Sequence, residues 1–295
     1  LYVVTMCTGI TFLTGYAANT VAWALADQML GLHITWLQWT TAFILPAGIV
    51  LLIAPYVMYL IYRPTLTKID NVRIAREGLA AIGPMSSKEK ILLCLFLAII
   101  GWATSSYTKI NSTAVVLGFI AVCLMTNVLK WKDIAKNSQV WTTLMWYGGI
   151  LGLAGAMNQF GFFKWMAEQL QLYVDFSSFS HIGLLLTLVA AGSVCRYLFV
   201  SCGAYMASVL PVQFTIGLAA GLPAWDMFLV FLMCGVMGAI LTHYANAAGP
   251  VLFGGGYVSV KTWWLIGLFF TLLSYIIFAL VGVPYWSMLG LFTSL

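Results

Sequence analysis

The chain has 295 residues, of which 62% are hydrophobic and only 7% are charged, and its mean hydropathy is +0.99. A soluble globular domain carries roughly a quarter charged residues, so this composition excludes that class and indicates an integral membrane protein. The net charge of +5 is spread over several loops, and no nucleic-acid partner is expected.

Long stretches without any charged residue recur along the chain, at 39–62, 91–107, 113–129, 140–163 and 263–283. Helices of this length cross an apolar layer of about 30 Å at 1.5 Å per residue. The pattern is not the alternation over about ten residues that is typical of membrane β-barrels. The sequence therefore predicts an all-α integral membrane protein.

The longest polar segment, 63–90, separates the first of these stretches from the second. It carries more basic than acidic residues: Arg63, Lys68, Arg73, Arg76, Lys88 and Lys90 against Asp70, Glu77 and Glu89. By the positive-inside rule this connector is cytoplasmic. Basic-poor and basic-rich loops then alternate, and a cytoplasmic turn at Lys261 leaves the C-terminus outside. The chain thus divides into 1–62, the connector 63–90 and 91–295.

The segment 181–222 differs from the predicted spans. Residues 182–195 form only a short apolar run, which is followed by Arg196 and a junction rich in Ser, Gly and Ala. A re-entrant helical hairpin, which enters and leaves on one side, explains such short limbs. Non-helical backbone at membrane depth is tolerated where protein or a wet cavity surrounds it.

Two similar strings occur far apart in the sequence: LTGYAAN at 13–19 and LTHYAN at 241–246. Each interrupts an apolar segment with residues that favour a helix break, among them Gly15, Asn19, Asn246 and Pro250. Broken helices at corresponding positions of two halves are typical of inverted-repeat secondary transporters. The second break is predicted within about 226–258. Kinks that simply pack against neighbouring helices remain the alternative.

Three stretches resemble a known family: RYLFVSCGAYMASVLPV at 196–212, LTHYANAAGPVLFGGGYV at 241–258 and AREGLAAIGPMSSKEK at 75–90. They resemble the divalent anion:sodium symporter family, in particular its bacterial citrate/succinate and tartrate/succinate antiporters and their plastid 2-oxoglutarate/malate relatives. The resemblance implies two inverted repeats, transport of di- or tricarboxylates, a homodimer and a bacterial inner-membrane location. It also implies another hairpin upstream of Leu1, so the chain is expected to be a C-terminal part.

The resemblance also implies where substrate binds. The hairpin tip would contribute Ser201, Cys202, Gly203 and Ala204, and the two unwound loops would contribute Tyr16, Ala17, Asn19, His243, Tyr244 and Asn246. A vestigial sodium site would involve Gly15, Ser201 and Thr242. The chain departs from the family pattern at Cys202 and Gly203, where Asn and Thr are usual, and at Tyr16 and His243, where Thr is usual.

Arg196 is the basic residue within the apolar hairpin region. Intramembrane charge usually marks a pathway or a paired site, so Arg196 is a candidate for attracting a dianion. The alternative is an arginine that snorkels or caps backbone carbonyls. Asn19 and Asn246 offer amide donors that recognise a carboxylate without a fixed charge, and helix-end capping is their alternative role.

The acidic residues lie at segment ends or in loops, so a carboxylate proton relay is not expected in this chain. This favours either sodium coupling or exchange of one anion for another. The missing Asn and Thr at the hairpin tip make exchange by alternating access the preferred mechanism, and a sodium-coupled symporter is the alternative. No cofactor is expected apart from sodium, which the resemblance leaves open. A channel or scaffold and an intramembrane enzyme are more remote readings, because the histidines lie in different segments without HExxH spacing.

Overall fold

The computed structural model describes residues 1–62, 70–104, 112–173, 175–176 and 179–293. Every regular element in these ranges is helical, which confirms the all-α class. The α-helices are α1 (Tyr2–Thr11), α2 (Ala17–Leu30), α3 (Trp36–Ile61), α4 (Asn71–Ile82), α5 (Ser87–Thr104), α6 (Ser112–Met125), α7 (Trp131–Lys136), α8 (Ser138–Gln159), α9 (Phe162–Tyr173), α10 (His181–Tyr197), α11 (Cys202–Ala219), α12 (Ala224–Met237), α13 (Ala248–Phe253), α14 (Val260–Ile277) and α15 (Val283–Met288). Short 3-10 segments occupy Leu13–Gly15 and Gly238–Leu241, and a π-helical turn occupies Phe278–Gly282.

The chain forms two compact units. The first comprises Leu1–Leu60 and Trp146–Leu295, and the second comprises Ile61–Met145. Both repeated strings and the helical hairpin belong to the first unit. All candidate site residues are therefore in one unit, and α4 to α7 belong to the other.

Buried aromatic residues hold the first unit together. The rings of Trp39 and Phe228 lie 5.4 Å apart, centroid to centroid. Trp39 donates its indole N–H to the carbonyl of Ile10 at 2.9 Å, and Trp286 donates to that of Ala42 at 2.7 Å. A buried indole needs such an acceptor, so these bonds fix α3 against α1 and the C-terminal helix α15 against α3.

Four helical segments in the described residues are long and apolar enough to cross a membrane: Trp36–Ile61, Cys202–Ala219, Ala224–Leu241 and Val260–Met288. The first and last coincide with the stretches predicted at 39–62 and 263–283. The predicted span 140–163 is divided, because α8 ends at Gln159 and Gly161 adopts a left-handed turn with φ of 70° before α9. The predicted span 91–107 runs into residues 105–111, which lie outside the described ranges.

The helices α10 and α11 form the expected helical hairpin. They are joined by residues 198–201, and Gln213 in α11 donates to the carbonyl of Leu188 in α10 at 3.0 Å. Gly192 permits this close approach: a Cβ there would lie 2.7 Å from the Tyr205 hydroxyl. The hairpin limbs thus pack directly on each other.

The length of the second limb differs from the sequence interpretation. α10 is shorter than a typical span, but α11 has 18 residues and is long and apolar enough to cross a membrane. The Ser201 side chain caps α11 by accepting from the Ala204 backbone N–H at 3.4 Å, so the small residues at the junction are already helical. Pro211 is also accommodated inside the helix. The sequence interpretation, that both limbs are too short to cross a membrane, therefore applies to α10 and not to α11.

Candidate functional site

The first repeated string breaks the helix that runs from Tyr2 to Leu30. α1 ends at Thr11, Phe12 is extended, and a single 3-10 turn leads to Tyr16, which is again extended before α2 begins. Gly15 is needed at this turn, because a Cβ there would lie 2.9 Å from the carbonyl oxygen of Gly9. This interrupted segment, 2–30, is called the first broken helix below.

Asn19 satisfies backbone carbonyls that the break leaves without helical partners. Its side chain is completely buried, and its amide nitrogen donates to the carbonyls of Gly9 at 2.7 Å and Phe12 at 3.0 Å. Both of its N–H groups are therefore used inside the protein. The amide oxygen of Asn19 is buried and has no hydrogen-bond partner among the residues that the structure describes.

The second repeated string produces a comparable break in 224–253, called the second broken helix below. α12 passes through a 3-10 turn to Thr242, which is extended, and helix resumes only at Ala248. The side-chain oxygen of Asn246 accepts from the backbone N–H groups of Ala248 at 2.8 Å and Gly249 at 2.9 Å. Asn246, one residue before the Ncap Ala247, therefore satisfies two of the free N–H groups in the first turn of α13.

The two broken helices lie against each other. The Tyr2 hydroxyl at the start of α1 donates to the carbonyl of Ala239 at 2.9 Å. Further along α1, the sulfur of Met6 accepts from the amide of Asn246 at 3.2 Å. Residues more than 230 positions apart thus meet, and the two repeated strings belong to one region of the first unit.

Arg196 is buried where the hairpin meets the second broken helix. Its side chain is 1% exposed, so it does not snorkel to a membrane surface. The guanidinium donates to three backbone carbonyls, those of Gly235 at 3.1 Å, Phe199 at 2.9 Å and Ala245. It also lies 5.3 Å from the centre of the Tyr205 ring.

No carboxylate neutralises this arginine within the part of the chain that the structure describes. The ion pairs there are His33 with Asp27 and Arg73 with Glu77. Carbonyl dipoles and one aromatic face stabilise the Arg196 cation but leave its net charge in place. The region around Arg196 therefore favours an anion.

The hairpin tip brings three candidate elements together at Cys202. This residue is buried, and its thiol donates to the Gly235 carbonyl at 3.6 Å. The Tyr16 hydroxyl of the first broken helix and the Arg196 guanidinium both lie beside the same thiol. Gly203 is also buried, whereas Ser201 is exposed.

The remaining tip and loop residues differ in their access to the surface. Ala17 is exposed and Ala204 is half-buried. The hydroxyl of Thr242 is buried and has no hydrogen-bond partner within the described part of the chain. Of the three residues of the predicted sodium site, only Thr242 therefore has a buried, unpaired oxygen, since Ser201 is an exposed helix cap and Gly15 is an exposed turn residue.

His243 lies in an aromatic cluster next to the unwound loop. Its ring centroid is 4.6 Å from that of Phe253, and its Nδ1 accepts from the indole N–H of Trp264 at 3.2 Å. Since an indole nitrogen only donates, the neutral imidazole carries its proton on Nε2. The neighbouring Tyr244 donates its hydroxyl to the carbonyl of Tyr197 at 3.0 Å. The loop is thereby fixed to the end of α10.

Several residues that complete this region were not anticipated from the sequence. They are Met6, Tyr205, Gly235, Ala245 and Trp264, which contact Asn246, Arg196 or His243. Tyr205 lies in the quoted stretch 196–212 and Ala245 lies inside the second string, whereas Met6, Gly235 and Trp264 belong to no quoted motif. The sequence gives a signal only for Arg196 itself: an arginine within a membrane requires several polar partners, so such partners are expected, but their positions are not.

Asp226 is a second buried charge that the sequence interpretation placed at a segment end. It does lie in the first turn of α12, yet its side chain is fully buried. Its carboxylate accepts from the backbone N–H of Thr293 at 3.1 Å. A helix N-terminus stabilises a carboxylate, so Asp226 has a structural role at the C-terminal end of the chain.

A groove of about 420 Å³ lies beside α1, α3 and α14. It is lined mainly by apolar side chains, including Tyr2, Met58, Trp263 and Phe270, and contains none of the candidate substrate-binding residues. The candidate residues are instead packed together, with Asn19, Arg196, Cys202 and Asn246 buried.

Comparison with known proteins gives the family. Residues 1–292 match the family described as "Sodium:sulfate symporter transmembrane region", which covers nearly the whole chain. The chain belongs to the divalent anion:sodium symporter family. Members similar to this chain are named as transporters or antiporters, and this chain has apolar helices long enough to cross a membrane.

Three relatives indicate the range of the similarity. The inner membrane protein YbhI of Escherichia coli is 37% identical, over 98% of this chain and 61% of its own length. The citrate/succinate antiporter of Escherichia coli is 33% identical, over 94% of this chain and 57% of its own. Dicarboxylate transporter 1, chloroplastic, of Arabidopsis thaliana is 30% identical, over 95% of this chain and 51% of its own length. The chain thus spans between 51% and 61% of the length of these relatives.

Proposed function

We propose that the protein transports di- or tricarboxylates across a membrane by alternating access. Two of the compared relatives carry names that specify citrate/succinate antiport or dicarboxylate transport. The candidate region of this chain has the parts that such a substrate requires: two helix breaks, a hairpin tip and a buried positive charge. The substrate class is that of succinate, malate, citrate and tartrate.

The buried Arg196 cation is the observation that carries this proposal. Desolvating a charge costs several kcal/mol or more, and proteins retain such a residue when an interaction offsets that cost. Three carbonyls accept from the guanidinium, which has five N–H groups in all. The remaining positive potential lies next to Cys202 and Tyr16, where the hairpin tip meets the first broken helix. A dianion at that tip would be stabilised there.

Replacement of Arg196 tests the proposal directly. We expect Arg196→Gln in the full-length protein to weaken succinate binding by about tenfold or more, because hydrogen bonds and contacts to a charged group contribute about 1.5–3 kcal/mol. Affinity would be measured by calorimetry in detergent, and uptake in liposomes. Arg73→Gln, at an exposed arginine of α4, is the matched control. Wild-type affinity and uptake of Arg196→Gln at normal expression would contradict the proposal.

A second arginine variant keeps the test informative if Arg196→Gln fails to fold. Arg196→Lys retains the charge but cannot reach three carbonyls with a planar fork. If charge is what the substrate recognises, this variant loses thermal stability but keeps a larger part of its succinate affinity than the glutamine variant. Equal loss of affinity in both variants would assign Arg196 a purely structural role.

Anion exchange is the preferred form of transport. The buried carboxylate of Asp226 lies in the first turn of α12 and accepts from the backbone N–H of Thr293. This position is away from the candidate region, so Asp226 offers no proton relay through that region. Two carboxylates that move in opposite directions balance charge without a coupling ion. Sodium symport is the second candidate, and it is favoured by the buried, unpaired oxygens of Asn19 and Thr242, since sodium binds neutral oxygen ligands.

The organisation of the whole protein is part of this proposal. Residues 1–62 would end a first inverted repeat, 63–90 would connect it on the cytoplasmic side, and 91–295 would form the second repeat with its C-terminus outside. The basic residues of the connector support this orientation. The proposed protein is a homodimer in a bacterial inner membrane, where the relative YbhI is an inner membrane protein. Its partners are carboxylates and lipid, without nucleic acid or any cofactor apart from the sodium of the second candidate.

A further inference from the structure

The helix α4 in the second unit has a marked division between apolar and polar residues. At 100° per residue, one side carries the following residues: Val72, Ile74, Ala75, Leu79 and Ile82. The opposite side carries another set: Arg73, Arg76, Glu77 and Ala80. A short helix of this kind, with arginines on one face and branched aliphatic residues on the other, is typical of segments that lie in a membrane interface.

The apolar side of α4 is uncovered in the described part of the chain. None of the twelve residues of the helix is buried. Its large apolar side chains are exposed, and contact of such side chains with water is unfavourable: Val72 is exposed by 62%, Ile74 by 54%, Leu79 by 68% and Ile82 by 76%. Because transfer of such side chains from water to an apolar phase is favourable, an apolar phase that reaches them would hold the helix.

The stretch of α5 that the sequence predicts to cross the membrane begins close to this helix. Only residues 83–86 separate the end of α4 from α5, whose apolar stretch begins at residue 91. The five steps from residue 82 to residue 87 span at most about 18 Å even when extended. The backbone N–H of Ser86 donates to the Glu89 carboxylate at 2.7 Å, and this bond lowers the pKa of Glu89 below its ordinary value. Lys88, Glu89 and Lys90 are three consecutive charged residues directly before the apolar stretch, as expected of a turn at the polar boundary of a membrane.

The ends of α4 are fixed by their own caps, so the helix is a defined element of the connector. Asp70 accepts from the backbone N–H of Arg73 at 2.9 Å, and Gly83, with φ of 77°, ends the helix. The polar side is also suited to headgroups. Glu77 pairs with Arg73 at 3.6 Å, which leaves Arg76 as the unbalanced charge on this face, and Lys88 and Lys90 follow the helix.

We infer that α4 is an interfacial helix that lies flat on the bilayer, with Val72, Ile74, Leu79 and Ile82 among the acyl chains and Arg73 and Arg76 at anionic phospholipid headgroups. The occupant of the apolar face is thus lipid. The inference depends on membrane insertion of the chain, not on its substrate, so it stands or fails separately from the proposed transport of carboxylates.

Site-directed spin labelling of the full-length protein in vesicles tests this placement. Single cysteines would replace Ile74, Leu79 and Ile82 on one face and Arg73, Arg76 and Ala80 on the other, in a background with the exposed Cys94 removed. Collisions of the label with oxygen, which concentrates in lipid, indicate a lipid environment. Collisions with a charged nickel chelate, which stays in water, indicate an aqueous environment. We expect the oxygen-to-nickel ratio to be several-fold higher at the three apolar positions, in vesicles that contain phosphatidylglycerol.

Two results would overturn the inference. High nickel accessibility at all six positions would mean that α4 is surrounded by water. Shielding of the apolar positions from both reagents would mean that protein covers this face, either a second copy or another part of the polypeptide. If the ratios are the same in vesicles of phosphatidylcholine alone, the assignment of anionic headgroups to Arg73 and Arg76 is wrong.

A charge substitution gives a matched second measurement. Ile82→Glu places a carboxylate on the apolar side, and Ala80→Glu places the same group on the polar side of the same helix. We expect the label at Leu79 to lose its preference for oxygen in the Ile82→Glu protein and to keep it in the Ala80→Glu protein. An equal response to both substitutions would contradict the proposed orientation of the helix.

Discussion

Asn19 and Asn246 occupy similar strings and both stabilise helix breaks, but they use different atoms. Asn19 donates to the carbonyls of Gly9 and Phe12 after α1, whereas Asn246 accepts from the N–H groups of Ala248 and Gly249 before α13. The asparagine side chain carries both donors and an acceptor, so one residue type serves either end of a helix. This explains why the same residue recurs in both strings.

Removing either asparagine is expected to destabilise the protein in the absence of substrate. Asn246→Ala loses a helix cap, which costs about 1 kcal/mol, and Asn19→Ala leaves buried carbonyls without donors, which costs about 1–3 kcal/mol. Thermal unfolding in detergent without added carboxylate would measure both effects. The matched control is Asn71→Ala, because Asn71 is exposed at the start of α4. An unchanged melting temperature together with weaker succinate binding would mean that the amides serve the substrate and not the backbone.

The sequence alone predicted that Asn19 and Asn246 lie at helix breaks. It did not predict which residues they contact. The strings indicate a helix break through the residue types that they contain, which is a local property. The contact of Asn246 with Met6 joins residues 240 positions apart, and the contacts of Arg196 join the hairpin to Gly235 and Ala245. Such contacts depend on how helices pack, and no spacing in one sequence specifies them.

At the scale of elements, α14 packs closely against the second broken helix. A Cβ at Gly267 would lie 2.6 Å from the carbonyl oxygens of both Ile240 and Leu241. These are backbone atoms of the 3-10 turn, so they cannot move aside as a flexible side chain does. Gly267 therefore sets the distance between α14 and the break, a role that small residues commonly have between membrane helices.

Gly267→Ala is expected to separate these two elements and to destabilise the protein by about 1–3 kcal/mol, as overpacking usually does. The control is Gly48→Ala in α3, where nothing lies within 4 Å of the added Cβ. Gly48→Ala should be neutral or stabilising by up to about 1 kcal/mol, since alanine favours a helix more than glycine does. Thermal unfolding of the two variants makes the comparison. If both variants melt at the same temperature, α14 does not pack tightly on the turn.

Element boundaries were predictable where local chemistry defines them and less so elsewhere. The helix break at Gly15 and the hairpin turn after Arg196 follow from residue type. The length of α11 did not follow, because the small residues after Ser201 read as a loop, while the Ser201 cap and neighbouring helices hold them in a helix. The end of α8 at Gln159 was also missed, since Gly161 stands in a stretch that has no charge to mark a turn.

At the scale of the whole molecule, composition alone indicated the class. Few charges and long apolar stretches require a helical membrane protein, because a spanning backbone must satisfy its own hydrogen bonds. The family then followed from motifs that lie at the hairpin tip and the second break, which the structure places around Arg196. What composition and motifs leave undecided is the driving force of transport, since exchange and sodium coupling use the same fold.

Exchange and symport differ in what happens when the carrier is empty. An exchanger must not reorient without a bound anion, so labelled succinate enters vesicles only against internal dicarboxylate. In this chain the tip residues Cys202 and Gly203 stand where Asn and Thr are usual in the family, and neither carries a side-chain oxygen as a sodium ligand. We therefore expect uptake by the full-length protein in liposomes to require internal dicarboxylate and to be the same in sodium and in sodium-free buffer.

A substitution at Thr242 tests exchange against sodium symport at a single residue. The buried, unpaired Thr242 hydroxyl is the sodium ligand that symport would need, so Thr242→Val should leave an exchanger's uptake nearly unchanged. Ser208→Val, at an exposed position of α11, controls for the loss of a hydroxyl elsewhere in the first unit. Sodium-dependent uptake into empty vesicles that falls with Thr242→Val, but not with Ser208→Val, would instead assign symport.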